Sequence, residues 1–406
     1  AKMWRRWWCV TVVVLVVVVK ASWCQDEEEE EMEEEGPSTP RPPPPIPLKN
    51  MTELVQMFGY EAESYEVKAP DGHKLGLFRL KPKAAGGPVV VLQHGMGMAP
   101  DAWCLSNTSL AYQLRDNGAD VWLPSQRGNV YSRTHEKYNP DKDKEFWDFS
   151  FVEMGELDFP AVVDFVLEKT KQPNLYYVGF SLGTTAALIG LSKKPEYNGK
   201  IKEAILIAPI WHCTKYQFMV NKESSMYQTV LDVFKQWDEK QKWEGFPRKD
   251  VMLTEHQLGC NDLPEMATPY CEMGLDMSYS VVGQYLPAGM GVNVMKHIGM
   301  SYVNGKVTPW DYENADLNRQ KYNQDTPPEY DLKKVTAKVS LFWSQGDQLM
   351  ESADVEKLAD ELPNLGSKNI ITDDSFNHPD FIMPSTPELA PKNAEFKQNL
   401  IKMIKA

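Results

Sequence analysis

Leu175-Tyr176-Tyr177-Val178-Gly179-Phe180-Ser181-Leu182-Gly183-Thr184-Thr185 is the stretch that decides the fold. A short apolar run enters Gly-x-Ser-x-Gly and leaves into the helix formers Ala186, Ala187, Leu188 and Ile189. This is the layout of a nucleophile elbow, a turn from strand to helix so sharp that Gly179 and Gly183 must flank the serine. Such a turn lifts Ser181 Oγ above the carboxyl edge of a sheet. It also leaves the backbone N–H of Leu182 at a helix N-terminus, where it can hold an oxyanion.

A serine nucleophile needs a base and an acid, and in this architecture the chain order is serine, acid, histidine. Four of the seven histidines follow Ser181: His212, His256, His297 and His378. The acid belongs just past a later buried strand. Val339-Ser340-Leu341-Phe342-Trp343 reads as that strand, and Ser344-Gln345-Gly346-Asp347 as the turn after it. Only His378 lies beyond Asp347, in a loop following a short strand at Asn369-Ile370-Ile371-Thr372. Ser181, Asp347 and His378 therefore form the expected triad, with Ser181 attacking an ester carbonyl, His378 moving the proton and Asp347 orienting the imidazole. Asp373, Asp374 and Asp380 are rival acids, but they lie too near His378 to occupy a separate strand end.

Upstream, Pro88-Val89-Val90-Val91-Leu92-Gln93 is a β-branched run of the kind a strand covered on both faces requires. His94-Gly95-Met96-Gly97-Met98 follows it. The small residues allow close backbone approach, and the N–H of Met96 is the candidate second oxyanion donor. His94 precedes the serine and is read as structural.

Together these segments resemble the acid lipase family, which includes gastric lipase and lysosomal acid lipase, within the α/β-hydrolase superfamily. The resemblance rests on Phe58-Gly59-Tyr60, Tyr65-Glu66-Val67, Leu92-Gln93-His94-Gly95 with Trp103, Asp120-Val121-Trp122-Leu123 and Arg127-Gly128-Asn129. It continues through Phe146-Trp147, Phe149-Ser150-Phe151, Glu153-Met154, Asp158, Pro160, the elbow, Gly346-Asp347 and Asn377-His378. It implies an α/β-hydrolase fold: a mostly parallel central sheet with helices on both faces and an inserted, mainly helical cap or lid. It also implies a secreted or lysosomal hydrolase of triacylglycerol or steryl esters. The family elbow usually reads Gly-His-Ser-Gln-Gly, whereas Phe180 and Leu182 stand here. Because the oxyanion donor is a backbone group, the departure bears on acyl-pocket shape rather than on the reaction.

Hydrophobic residues at 42% and charged residues at 25% make an ordinary globular mixture with a core of useful size. The net charge of −14 is unevenly spread. Residues 1–24 carry Lys2, Arg5, Arg6, Lys20 and no acid, around an apolar run from Trp7 to Val19 that is too short to cross a bilayer comfortably. This reads as a signal peptide cleaved near Cys24, with an uncleaved anchor as the alternative. Asp26 and eight glutamates then crowd residues 26–35 before a proline-rich stretch, so 25–48 is expected to be a disordered linker. The acidic run could engage calcium or a basic partner, or simply stay solvated. The hydrolase core is assigned to 49–211 and 333–406, and the insertion at 212–332 to a cap with a lid near 250–285. No basic stripe suggests nucleic acid. The expected partners are a lipid ester and a lipid–water interface, with no cofactor and no metal.

Export permits disulfides and glycans. Cys260 and Cys271 are the expected bridge, the family having a cysteine pair in this region with slightly closer spacing; Cys104 and Cys213 read as buried thiols. Asn50-Met51-Thr52 and Asn107-Thr108-Ser109 are glycosylation sequons. Two rival functions stay open at this stage: a small-ester esterase or acyltransferase, and a catalytically silent lipid-binding protein on the same fold.

Overall fold

The computed structural model describes residues 49–215, 232, 234–248 and 285–405. The leader, the linker, the expected lid and the Cys260–Cys271 pair thus lie outside the described residues.

Asn50 opens the core as the cap of α1 (Met51–Met57), accepting from Glu53 N–H at 3.1 Å while Glu53 reaches back to Asn50 N–H. This reciprocal pair satisfies two donors that a helix start otherwise leaves bare. Strands β1 (Ala62–Lys68) and β2 (His73–Leu80) form an antiparallel pair that begins before Glu66. Next come β3 (Val89–Gln93), α2 (Leu110–Asp116), β4 (Asp120–Pro124) and the two-residue β5 (Thr134–His135). Helix α3 (Phe159–Thr170), β6 (Leu175–Phe180), α4 (Leu182–Lys193) and β7 (Ile201–Ile207) complete the first half.

The insertion holds a short ribbon of β8 (Glu244–Gly245) against β9 (Met290–Gly291), then α5 (Val292–Asn304) and α6 (Ala315–Tyr322). The chain returns to the sheet with β10 (Val339–Ser344), α7 (Ser352–Glu361), β11 (Leu365–Ile371) and α8 (Ala390–Lys405).

The main sheet runs β1-β2-β4-β3-β6-β7-β10-β11, with β5 alongside β2. From β4 to β11 every pairing is parallel. Its middle strands are buried along their length, which is why β3, β6 and β10 read as unbroken apolar runs rather than as alternation. Chain order steps out from β3 to β4 and back to β6, so a crevice opens at the carboxyl ends of β3 and β6, the usual ligand position in such sheets.

Several tethers fix the insertion to this frame, two of them at its neck and at Arg248. At its neck, Val307 N–H donates to Trp211 O and Cys213 N–H to Gly305 O, at 2.8 and 2.9 Å. Further along, Arg248 donates to Asp101 Oδ2 at 2.7 Å and to Tyr285 O at 3.0 Å, and all three residues are buried. Tyr285 Oη also donates to Lys49 O at 3.0 Å. Phe234, Trp237, Met290, Val292 and Met295 form a second apolar cluster, against which Met96 packs.

Candidate active site

Ser181 sits between β6 and α4 at φ +51° and ψ −119°, a conformation that non-glycine residues rarely hold. Backbone strain of this kind amounts to about 1–3 kcal/mol and persists only where surroundings over-determine it. Here they do. Ser181 N–H donates to Ile207 O at 3.0 Å, and the Thr184 N–H and hydroxyl both donate to Ser181 O, at 2.8 and 2.6 Å. The flanking glycines are steric necessities. A Cβ on Gly179 would lie 2.8 Å from Gly183 O, and one on Gly183 would lie 2.7 Å from Gln93 O.

Asp347 follows β10 and His378 follows β11, as the sequence order anticipates. His378 Nδ1 lies 2.7 Å from Asp347 Oδ2, and Asp347 is fully buried. The other carboxylate oxygen accepts from Leu349 N–H at 2.8 Å. His378 Nε2 is buried and has no hydrogen-bond partner among the described residues. The imidazole lies beside Phe180, the residue preceding the serine, with ring centroids 4.9 Å apart. Imidazole, elbow and buried carboxylate are thus brought together.

Two of the three rival acids, Asp380 and Asp373, are occupied elsewhere. Asp380 accepts from the N–H groups of Asn377 and Ser385, each at 2.6 Å, and burial raises its pKa. Asp373 takes the N–H and hydroxyl of Ser375.

Asn377 does more than precede the histidine. Its Oδ1 accepts from His378 N–H at 2.7 Å and from Gln348 N–H at 3.0 Å, joining the loops of Asp347 and His378.

On the opposite side of the elbow, no described group accepts from the N–H of Met96 or Leu182. The Met96 loop is braced by His94, which is fully buried. His94 Nε2 accepts from Gln126 N–H at 3.1 Å and faces Asn129 Nδ2 at 3.2 Å, so its Nδ1 carries the proton toward Gly95 O at 2.9 Å. Burial holds His94 down to about pKa 4, which keeps it neutral and structural. Ala288 of the insertion donates to Gly97 O at 2.7 Å, tying the same loop from above.

Arg127 lies further from the elbow. It is buried, forks onto Asp158 at 2.8 and 2.5 Å, and reaches Asp71 at 2.6 Å. Sequence reading noted Arg127 and Asp158 without pairing them. Cys104 and Cys213 are buried free thiols, as expected.

A model of the alpha/beta hydrolase fold matches residues 88–382, and one of the partial alpha/beta-hydrolase lipase region matches residues 51–107. An esterase from Exiguobacterium antarcticum superposes with a TM-score of 0.50 at 14% identity, covering 85% of this chain and 100% of that one. That likeness concerns the fold alone. Lipase member K of Homo sapiens is 33% identical over 82% of this chain and 86% of its own length. Gastric triacylglycerol lipase of Rattus norvegicus is 34% identical over 82% of this chain and 87% of its own. Lipase 3 of Drosophila melanogaster is 34% identical over 83% and 89%. The chain belongs to the α/β-hydrolase fold family, on the branch of these lipases. It is a carboxylic ester hydrolase.

Proposed function

We propose that this protein cleaves carboxylic esters of neutral lipids, triacylglycerol or steryl ester, through an acyl-serine intermediate. The observation that carries the reading is the bond from His378 to buried Asp347, with the opposite imidazole nitrogen unpartnered beside the strained elbow. In this mechanism Ser181 Oγ attacks the ester carbonyl while His378 Nε2 takes its proton. The N–H groups of Met96 and Leu182 hold the oxyanion, each worth about 3–4 kcal/mol in the transition state. The intermediate collapses as His378 returns the proton to the leaving alcohol. Water, activated by the same imidazole, then releases the acid.

The 212–332 insertion acts in this reading as a cap, supported by the apolar cluster that packs on Met96. The chain enters the secretory pathway and is secreted or lysosomal. Asn50 and Asn107 carry glycans, both being exposed, and Cys260 bridges Cys271. Among the described residues no helix is long and apolar enough to cross a membrane. The substrate is met at a lipid–water interface.

The test compares the purified protein with Ser181→Ala on a soluble short-chain ester, emulsified triacylglycerol and a cholesteryl ester, at acid and neutral pH. Turnover is expected to fall roughly 10⁴–10⁶-fold, because triad members act as a unit. Equal turnover in both proteins refutes the nucleophile, and a preference for the soluble ester refutes the lipid substrate.

A further inference from the structure

The acid of the triad stands in a loop without regular structure, residues 345–351. A loop keeps a side chain at one place only if its backbone groups have fixed partners. Here three carbonyls of the loop, those of Asp347, Leu349 and Met350, are held by side chains from outside the sheet. Lys215 Nζ donates to Asp347 O at 2.6 Å and to Met350 O at 2.9 Å. Tyr302 Oη, from α5, donates to Leu349 O at 2.7 Å. Thr214 adds two bonds of 2.8 Å from its N–H and hydroxyl to the buried Asp354 at the start of α7.

Both donors belong to the insertion, and the pairing of residues 211–213 with 305–307 at its neck sets them on the same side of the acid loop. Lys215 is about four-fifths buried and also lies 3.6 Å from Glu351 Oε1. An ammonium given to two main-chain carbonyls makes charge-assisted bonds, roughly twice as strong as neutral ones.

We propose that Lys215 and Tyr302 are positioning residues: the insertion grips the backbone of residues 347–350 and so sets the angle at which Asp347 meets His378. The grip touches neither substrate nor the reacting atoms. It rests on the assignment of Asp347 as the orienting acid. Loss of the grip lets the carboxylate drift, and a displacement of about 1 Å at such a group lowers turnover by up to roughly 10²-fold. Substrate binding is untouched, because no ester contact is removed.

The experiment measures kcat and KM on a soluble ester for Lys215→Met, Lys215→Arg, Tyr302→Phe and Asp347→Asn, with near-ultraviolet circular dichroism of each. Lys215→Met is expected to lower kcat by about 10–10²-fold with KM unchanged. Lys215→Arg, which keeps the charge and donors, recovers most of it, and Tyr302→Phe gives a smaller loss of the same kind. Asp347→Asn falls about 10⁴-fold if the triad assignment holds. Wild-type kcat in a folded Lys215→Met, or a loss in KM alone, overturns the grip. If Lys215→Met does not fold, Tyr302→Phe at wild-type kcat overturns it instead. An active Asp347→Asn overturns the triad assignment separately.

Discussion

Replacing Arg248 by methionine leaves Asp101 fully buried beside an apolar side chain. In the native protein Asp101 Oδ2 accepts from Arg248 at 2.7 Å and from Tyr131 Oη at 3.0 Å, while Oδ1 has no partner among the described residues. Burial already raises the Asp101 pKa, and Arg248 is the cation that restrains the rise. Removing one partner of a buried pair typically costs about 3–5 kcal/mol. At an unfolding entropy of about 2.1 cal/mol/K per residue, a folded chain of this size has roughly 0.75 kcal/mol/K, so the loss becomes a fall in Tm of about 4–7 °C.

The pH dependence separates this cause from lost packing. A carboxyl whose folded pKa exceeds its unfolded value is proton-rich in the native state. Its contribution therefore weakens as pH rises from the unfolded pKa through the folded one. The deficit of Arg248→Met is expected to be larger at pH 7 than at pH 4, because burial raises the Asp101 pKa and the acid side favours its neutral form. Asp101→Leu/Arg248→Met, which removes both charges, is expected to recover much of the loss. Thermal unfolding of the three variants at both pH values is the assay. A deficit of equal size at pH 4 and pH 7 refutes the reasoning, as does a double variant no better than the single one.

Two further outcomes follow from buried basic side chains. His297, stacked on Phe151 at 3.9 Å, is held by burial at about pKa 4, so the unfolded chain binds its proton first as pH falls from 6.5. The stability it contributes while neutral declines between those values. At about 1.4 kcal/mol per unit this approaches roughly 3 kcal/mol, and His297→Phe is expected to flatten acid unfolding curves in that window. A slope unchanged from wild type contradicts the assignment. Lys397 is buried with its Nζ on Thr108 O at 3.0 Å, and burial lowers its pKa to about 8. Lys397→Met is expected to raise urea resistance at pH 7 and to lose that advantage as pH climbs past 8 toward 10.5; a variant weaker than wild type at pH 7 shows the hydrogen bond matters more than the buried charge.

The central strands were legible because burial on both faces demands continuous apolar sequence, and β3, β6 and β10 comply. The pairing of Asp347 with His378 was legible because strand ends occur in a set order and only one histidine lies beyond Asp347 in the sequence. The first antiparallel pair was harder. Glu63, Glu66 and Lys68 place charge along β1, whose outer edge faces water, so no apolar run marks it. Lys215 left no signal, since a single lysine looks solvated until the fold closes over it. The same holds for Asp101 and Arg248, which are separated by 147 positions. No periodicity encodes such pairs, because each depends on where two unrelated turns happen to meet. The φ of Ser181, by contrast, was foreshadowed by the glycines around it.

Arg248 and Tyr285, 37 positions apart, share a hydrogen bond, so the two ends of the stretch between them are neighbours. A segment joined at such a point can be lengthened, shortened or exchanged with little penalty to the rest, since doubling a closed loop adds only about 0.6 kcal/mol. The clasp at Arg248 and Tyr285 thus loosens the link between the length of the chain it spans and the stability of the sheet beneath.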